Sequence, residues 1–333
     1  MEKACIFGHL SITPDFVHKF ILRHLTIFAG LLVGSALLAE SSGPERSTGP
    51  ETRWTMINVS PREAQADCHL IEFPDGRKAL VDIGDGADAP GNAIGYLQSR
   101  KITRIDLVVL SHFHKDHYGR LPDLIAAGIE VGKVAGNMPA AAATGCDSEM
   151  PWGFDRKHAE SVLQLLREKH IPYFTPKAGE RLIEVRLPDG GSVALDVVCL
   201  YDGATTPVGK TDTNDTSIIV RLSHGPTRAL FTGDLNSKLG SWLAKSTFDL
   251  RADILKAPHH GTEGCAPNEF FARVNPKATL VPAPKNLWLS NRSKRIRDYF
   301  AAEKIPAYVS GINGNVTVTL TESGFTIQSE HPE

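Results

Sequence analysis

The sequence predicts an α/β protein in which helices cover the outside of stacked sheets. Three observations carry that expectation. From Trp54 onward, short β-rich runs alternate with helical ones through both halves of the chain. Ile105–Leu110 is a nearly continuous apolar run, as a strand buried on both faces should be. Cys68–Phe73 and Lys78–Ile83 flank Pro74-Asp75-Gly76-Arg77, which is hairpin chemistry.

The other elements follow in order. Gly91–Arg100 and Leu121–Ala127 read as helices, and a short strand begins at Lys133–Val134. Arg156–Lys169 is an amphipathic helix with the apolar stripe Ala159, Val162, Leu163 and Leu166. Val193–Leu200, Ser217–Leu222 and Arg228–Thr232 read as strands, the last two joined by the turn His224-Gly225-Pro226-Thr227. Ser237–Lys245, Asn268–Val274 and Ser293–Glu303 read as helices, interleaved with the strands Ile254–Ala257 and Thr279–Val281. Asn315–Leu320 and Phe325–Ser329 form a closing hairpin.

A chain of 333 residues can bury a sizeable core, and 41% hydrophobic with 22% charged residues excludes wholesale disorder. The net charge of −2 argues against a protein that coats nucleic acid by charge alone.

Residues 1–40 differ from the rest. Lys19, Arg23 and His24 precede the apolar run Leu25–Ala39, and the polar Glu40-Ser41-Ser42-Gly43-Pro44 follows. That pattern matches a secretory signal, and the run is short against the roughly 20 residues of a membrane span. A cut after Ala39 would place Leu37 at the third position before it, so an uncleaved N-terminal anchor is the alternative. The expected organisation is a signal or anchor over 1–40, a linker over 41–52 and the globular domain over 53–330, in an exported or membrane-anchored protein. Cys5 would leave with a cleaved signal; Cys68, Cys146, Cys199 and Cys265 show no C-x-x-C spacing, which argues against a cysteine zinc site. Buried, inert thiols are expected, with a Cys146–Cys265 pair as the alternative.

The chemistry concentrates in Ser111-His112-Phe113-His114-Lys115-Asp116-His117, directly after the apolar run Ile105–Leu110. Three imidazoles and a carboxylate at the end of a core strand are costly unless something compensates, and these are the usual ligands of zinc and similar ions. In an extended stretch His112 and His114 point the same way and can grip one ion; Asp116 and His117, past a turn, can reach another. Asp82, Asp234 and the pair His259-His260 also sit at strand ends. Singly these are ordinary turn residues, but four such ends in one chain make independent turns improbable.

The His-x-His-x-Asp-His run, the Val81-Asp82-Ile83-Gly84 turn, Gly233-Asp234 and the late histidine resemble the metallo-β-lactamase superfamily over roughly residues 54–329. The order Asn214-Asp215-Thr216-Ser217, Phe231-Thr232-Gly233-Asp234, then Leu255-Lys256-Ala257-Pro258-His259-His260-Gly261-Thr262 is similar to the hydrolase domain of ComEC-type competence proteins and its free-standing relatives. The resemblance implies a four-layer αββα sandwich and two divalent ions, both zinc or alternatively manganese. His112 and His114 would hold the first ion, Asp116 and His117 with one of His259 and His260 (His260 by preference) the second, and Asp234 would bridge both. Asp82 would accept a hydrogen bond that orients a ligand histidine. The other histidine of the pair, His259 by preference, is expected at the substrate or in support of a ligand. The superfamily's further first-metal histidine has no counterpart here, so Asn214, Asp215 or a water would supply that position.

The ions would provide a bridging hydroxide and polarise the scissile bond, with Asp116 as candidate proton acceptor. The subgroup implies phosphodiester chemistry on nucleic acid or another exported phosphodiester. A β-lactam or lactone hydrolase on the same centre and a catalytically degenerate metal-binding module are the alternatives. Trp288, Arg292 and Arg295 are candidate substrate contacts. The membrane is implicated only through the N-terminal segment, and no protein partner is expected.

Overall fold

The computed structural model describes residues 49–59, 64–84, 93–139, 153–202, 206–209 and 211–332. The expected signal or anchor, residues 41–48 of the linker, Cys5 and Cys146 lie outside them. Among the described residues no helix is long and apolar enough to cross a membrane.

In chain order the strands are β1 (Thr52–Met56), β2 (Cys68–Glu72), β3 (Lys78–Ile83), β4 (Arg104–Ile105), β5 (Leu107–Leu110), β6 (Glu130–Val131), β7 (Val134–Gly136), β8 (Tyr173–Phe174), β9 (Arg181–Arg186), β10 (Ser192–Cys199), β11 (Ile219–His224), β12 (Thr227–Phe231), β13 (Ile254–Lys256), β14 (Ala278–Val281), β15 (Ala307–Val309), β16 (Val316–Thr321) and β17 (Gly324–Ser329). The helices are α1 (Ala93–Ser99), α2 (Lys115–Tyr118), α3 (Leu121–Ala126), α4 (Arg156–Glu168), α5 (Ser237–Lys245), α6 (Asn268–Val274), α7 (Lys285–Leu289), α8 (Lys294–Ala302) and α9 (Ser310–Asn313).

One sheet has the order β17-β16-β1-β2-β3-β5-β7-β8 and the other β15-β14-β13-β12-β11-β10-β9. Period-two alternation decides which side chains meet between them. Trp54, Val81 and Val109 from the first sheet join Leu195, Leu222 and Phe231 from the second in one core. Leu80 and Val108 face the other way, onto Leu97, Leu124 and Leu166 of α1, α3 and α4. Leu230 and Leu255 likewise pack on Leu239, Phe270 and Phe300 of α5, α6 and α8. These are the four layers of an αββα sandwich. The hairpin of β2 and β3 forms with Glu72 opposite Lys78, and β5 runs parallel between β3 and β7, its four residues buried. The run Ile105–Leu110 does not form one strand: Arg104–Ile105 splits off to pair with β6.

Each sheet has a parallel half, β3-β5-β7-β8 in one and β12-β13-β14-β15 in the other. Parallel neighbours end on the same side, so the C-terminal ends of β3 and β5 form one rim and those of β12 and β13 another. Asp82, Ser111, Asp234 and Pro258 sit at these ends.

Phe231 bridges the sheets, its ring centroid 4.5 Å from that of Trp54. Phe231→Ala is expected to cost about 3–5 kcal/mol, read as a lower midpoint in urea unfolding at unchanged slope.

Candidate metal centre

After β5 the chain bends through His112–His114, with His114 itself extended (φ −93°, ψ 145°), then closes into the single turn of α2. Within that stretch His112 Nε2 and His114 Nδ1 converge to 3.1 Å. The turn then brings His117 against His112, with ring centroids 4.1 Å apart.

Asp82 holds this corner. Its backbone sits at φ 60°, a left-handed conformation that Asp tolerates better than most residues. Its carboxylate accepts the Ser111 backbone N–H and the Ser111 hydroxyl, both at 2.7 Å. Asp82 Oδ2 also lies 2.8 Å from His117 Nδ1. A carboxylate offers only lone pairs, so neutral His117 keeps its hydrogen on Nδ1 and presents a lone pair at Nε2.

His260 reaches the same state from the other sheet. Its Nδ1 is 2.8 Å from the Pro282 carbonyl, again an acceptor, so Nε2 carries the lone pair. His259 and His260 sit at φ 47° and 52°, two consecutive strained residues that turn both rings towards the rim.

These lone pairs face one another. His117 Nε2 and His260 Nε2 each lie 3.2 Å from Asp234 Oδ2, and His260 Nε2 is 3.3 Å from the Asp116 carboxylate. Both imidazole atoms are buried without a hydrogen-bond partner. Neutral rings and carboxylates cannot be held so closely without a proton or a cation between them. The donor set, nitrogens and carboxylate oxygens, fits a divalent metal ion. Without metal, protons take its place. Burial disfavours a charged His260 ring, but Asp234 and Asp116 outweigh it and raise the pKa to about 9. His117 is likewise raised well above the ordinary value, against its burial, by Asp234, Asp116 and Asp82. Burial would push Asp234 up, yet His117, His260 and Lys256 hold it well below the usual carboxylate range. His112 is pushed down by burial and by His117, which keeps its ring neutral.

His259 stands apart. Its Nδ1 is 2.6 Å from Asn236 Oδ1, and the Asn236 amide in turn donates to Asp212 at 2.8 Å. The ring's Nε2 is 4.0 Å from Asp234 Oδ2, and its side chain is 17% exposed. Burial pulls its pKa down to about 4.

Gly233 fixes the distance between the halves. At φ 50°, a Cβ there would lie 2.5 Å from Ser217 Oγ and 2.8 Å from Ser111 Cβ. Ser217 Oγ accepts the Asp234 N–H at 3.0 Å and so aims the carboxylate.

The other sequence candidates fall in different places. Both Asp215 oxygens are engaged at the start of α5: Oδ1 accepts Asn236 N–H at 2.8 Å, and Oδ2 accepts Leu239 N–H at 3.1 Å and Thr211 Oγ1 at 2.8 Å. Asn214 Oδ1, by contrast, is buried without a partner. Trp288 is buried rather than at a mouth and backs the His260-Gly261 turn, where a Cβ on Gly261 would lie 2.9 Å from its ring. Arg295 donates to the Cys265 and Ala266 carbonyls, both at 3.0 Å, and so braces the loop after the histidine pair. Arg292 is exposed, 3.8 Å from Glu263. Cys68, Cys199 and Cys265 are buried free thiols, and burial pushes the latter two up to about 12.

Sequence reasoning did not find Asp67, His69 and Lys256. Lys256 follows Ile254 by two residues and so also points between the sheets. It forms an ion pair with Asp67, donates to the Gly233 carbonyl at 2.7 Å and lies 3.4 Å from Asp234 Oδ1. Burial would push Asp67 up, but Lys256 and His69 hold it well below the usual range. A lysine in an otherwise apolar strand was the available signal.

A family model described as the metallo-beta-lactamase superfamily matches residues 61–280. This chain belongs to the metallo-β-lactamase superfamily. Within it, the chain is 25% identical to ComE operon protein 3 of Bacillus subtilis (strain 168) over 225 residues, which are 67% of this chain and 26% of that protein. It is 36% identical over 65 residues to Ribonuclease Z of Clostridium kluyveri, 20% of each chain. The chain thus spans about a quarter or less of these relatives' lengths. Among solved structures, the metallo-beta-lactamase fold protein YhfI from Bacillus subtilis aligns with a TM-score of 0.49 and 14% identity, over 84% of this chain and 99% of that one.

Two outcomes follow for this superfamily member. The His260 pKa rises from 6.5 to about 9, so its proton stabilises the metal-free fold fully below pH 6.5 and ceases to do so above about 9. Chelator-treated protein is therefore expected to lose thermal stability across that window, and metal-loaded protein to lose less, as thermal unfolding at several pH values will show. Asp215→Ala is expected to cost about 1–2 kcal/mol by uncapping α5 while metal content stays at the wild-type level, measured by chemical unfolding and elemental analysis.

Proposed function

We propose that this chain is a metal-dependent hydrolase of phosphodiesters, itself exported or anchored by the segment 1–40 and acting on nucleic acid or another exported phosphodiester. One observation carries the metal-dependent part: the partnerless Nε2 atoms of His117 and His260 meet Asp234 Oδ2 at 3.2 Å each. The name of the relative Ribonuclease Z supports the phosphodiester part.

In this reading His112 and His114 would hold the first ion, His117, His260 and Asp116 the second, and Asp234 would serve both. Asn214, whose buried Oδ1 lacks a partner, completes the first set in place of the missing histidine. Zinc suits the imidazole-rich set, with manganese as the alternative. Bound ions would act as Lewis acids that supply a nucleophile from water near neutral pH and polarise the scissile ester.

The protein supplies orientation and proton handling. Asp82 and the Pro282 carbonyl lock two rings so that their lone pairs converge. Asp116, with its side chain 21% exposed, is the carboxylate that meets solvent and would accept the proton of a nucleophilic water. Asn236 turns the half-buried His259 so that its Nε2 lone pair is available to a substrate hydroxyl or water. The buried rings and Lys256 keep bulk water from the inner face.

The test is a substrate panel on protein of measured metal content: bis-p-nitrophenyl phosphate, nitrocefin and a lactone. Turnover of the phosphodiester alone is expected, abolished by chelator or by Asp234→Asn. Preference for nitrocefin or the lactone would replace the phosphodiester reading, and bound metal without any turnover would make the chain a binding module.

A further inference from the structure

We propose that Lys256 is a positioning residue that withdraws Asp67 from the metal cluster and selects the Asp234 oxygen presented to the ion. The inference rests on the reading of the cluster as a metal site, and adds to it which donors are refused.

By distance alone, Asp67 belongs to the cluster. Its ligand atom and those of His117, Asp234 and His260 all lie within 4.8 Å of one another, and all four residues are buried. These four could by themselves surround a cation. Asp67 Oδ2 is 3.6 Å from His117 Nδ1. What distinguishes Asp67 is that a cation is already paired with one of its oxygens and an imidazole N–H faces the other.

The claim on Oδ1 can be traced to the far edge of the core. Trp54 Nε1 donates to His69 Nδ1 at 3.2 Å, and an indole nitrogen only donates. His69 must therefore accept on Nδ1 and carry its hydrogen on Nε2, which lies 3.3 Å from Asp67 Oδ1. Lys256 Nζ claims Oδ2. An ammonium has three hydrogens, and three oxygens surround this one, from Asp67, the Gly233 carbonyl and Asp234 Oδ1. With Oδ1 turned to Lys256, Asp234 offers Oδ2 to His117 and His260. The lysine thus divides two carboxylates by role: Asp67 balances charge between the sheets, and Asp234 faces the ion with one oxygen.

Removal of the lysine should therefore have an unusual sign. A residue that only supported the site would, on loss, weaken metal binding. Loss of Lys256 instead deletes a nearby positive charge and frees a buried carboxylate beside two ligand histidines.

The experiment is Co(II) titration of chelator-stripped full chain, read by affinity and by visible absorption bands, which weaken as coordination number rises. Wild type is expected to bind Co(II), and Asp67→Asn to leave the band shape unchanged. Lys256→Met is expected to bind Co(II) about tenfold more tightly, with the weaker bands of a higher-coordinate ion. The double variant Lys256→Met/Asp67→Asn, in which the buried charges again balance, should return affinity and bands to wild type. Weaker binding in Lys256→Met, or altered bands in Asp67→Asn, would overturn the proposal while leaving the metal site standing. Failure of wild type to bind any divalent ion would remove the metal site itself. If Lys256→Met does not fold, Asp67→Asn and the double variant decide: changed bands in either rule out a refused Asp67.

Discussion

Lys256 is 1% exposed between two sheets whose facing side chains are largely apolar, and an ammonium there costs on the order of several kcal/mol unless oxygens surround it. The oxygens come from both sheets: Asp67 precedes β2, while Gly233 and Asp234 follow β12. The ion pair therefore ties the sheets together directly beneath the histidines. Above it the problem inverts, because lone pairs gather without hydrogens to separate them. A fixed internal cation on one side and a place for an exchangeable cation on the other are two solutions to a single excess of buried negative charge.

Topology explains why this excess can be assembled at all. Neighbouring parallel strands end on one side, and residues just past a strand end are freed from the ladder. Each can then spend an unusual backbone conformation to aim its side chain. Asp82, His259 and His260 do so at positive φ, and each of those strained positions is held by a hydrogen bond to its side chain. The apolar layers above and below supply the rigidity that makes such strain tolerable.

Much of the fold was legible because periodicity is a local property. The apolar stripe of α4 and the closing hairpin could be read from spacing alone, and the layer arrangement came from the motif resemblance. Edge strands such as β8 and β9 were not legible, since they are half-exposed or alternate weakly and owe their existence to a neighbour. The site divides the same way. The histidine run announces itself through cost, whereas Asp67 and His69 look like ordinary polar residues at the start of a strand until the second sheet places Lys256 opposite. Asp215 resembled a ligand in sequence because a carboxylate that caps a helix and one that binds a metal use the same letters. Arg295 and Trp288 resembled substrate contacts for a related reason: their partners are carbonyls and a glycine, which leave no pattern.

Gly233 leaves so little room against Ser111 and Ser217 that even one methyl group would collide. A side chain at position 233 would therefore have to part the two rims, and with them Asp234 from His117.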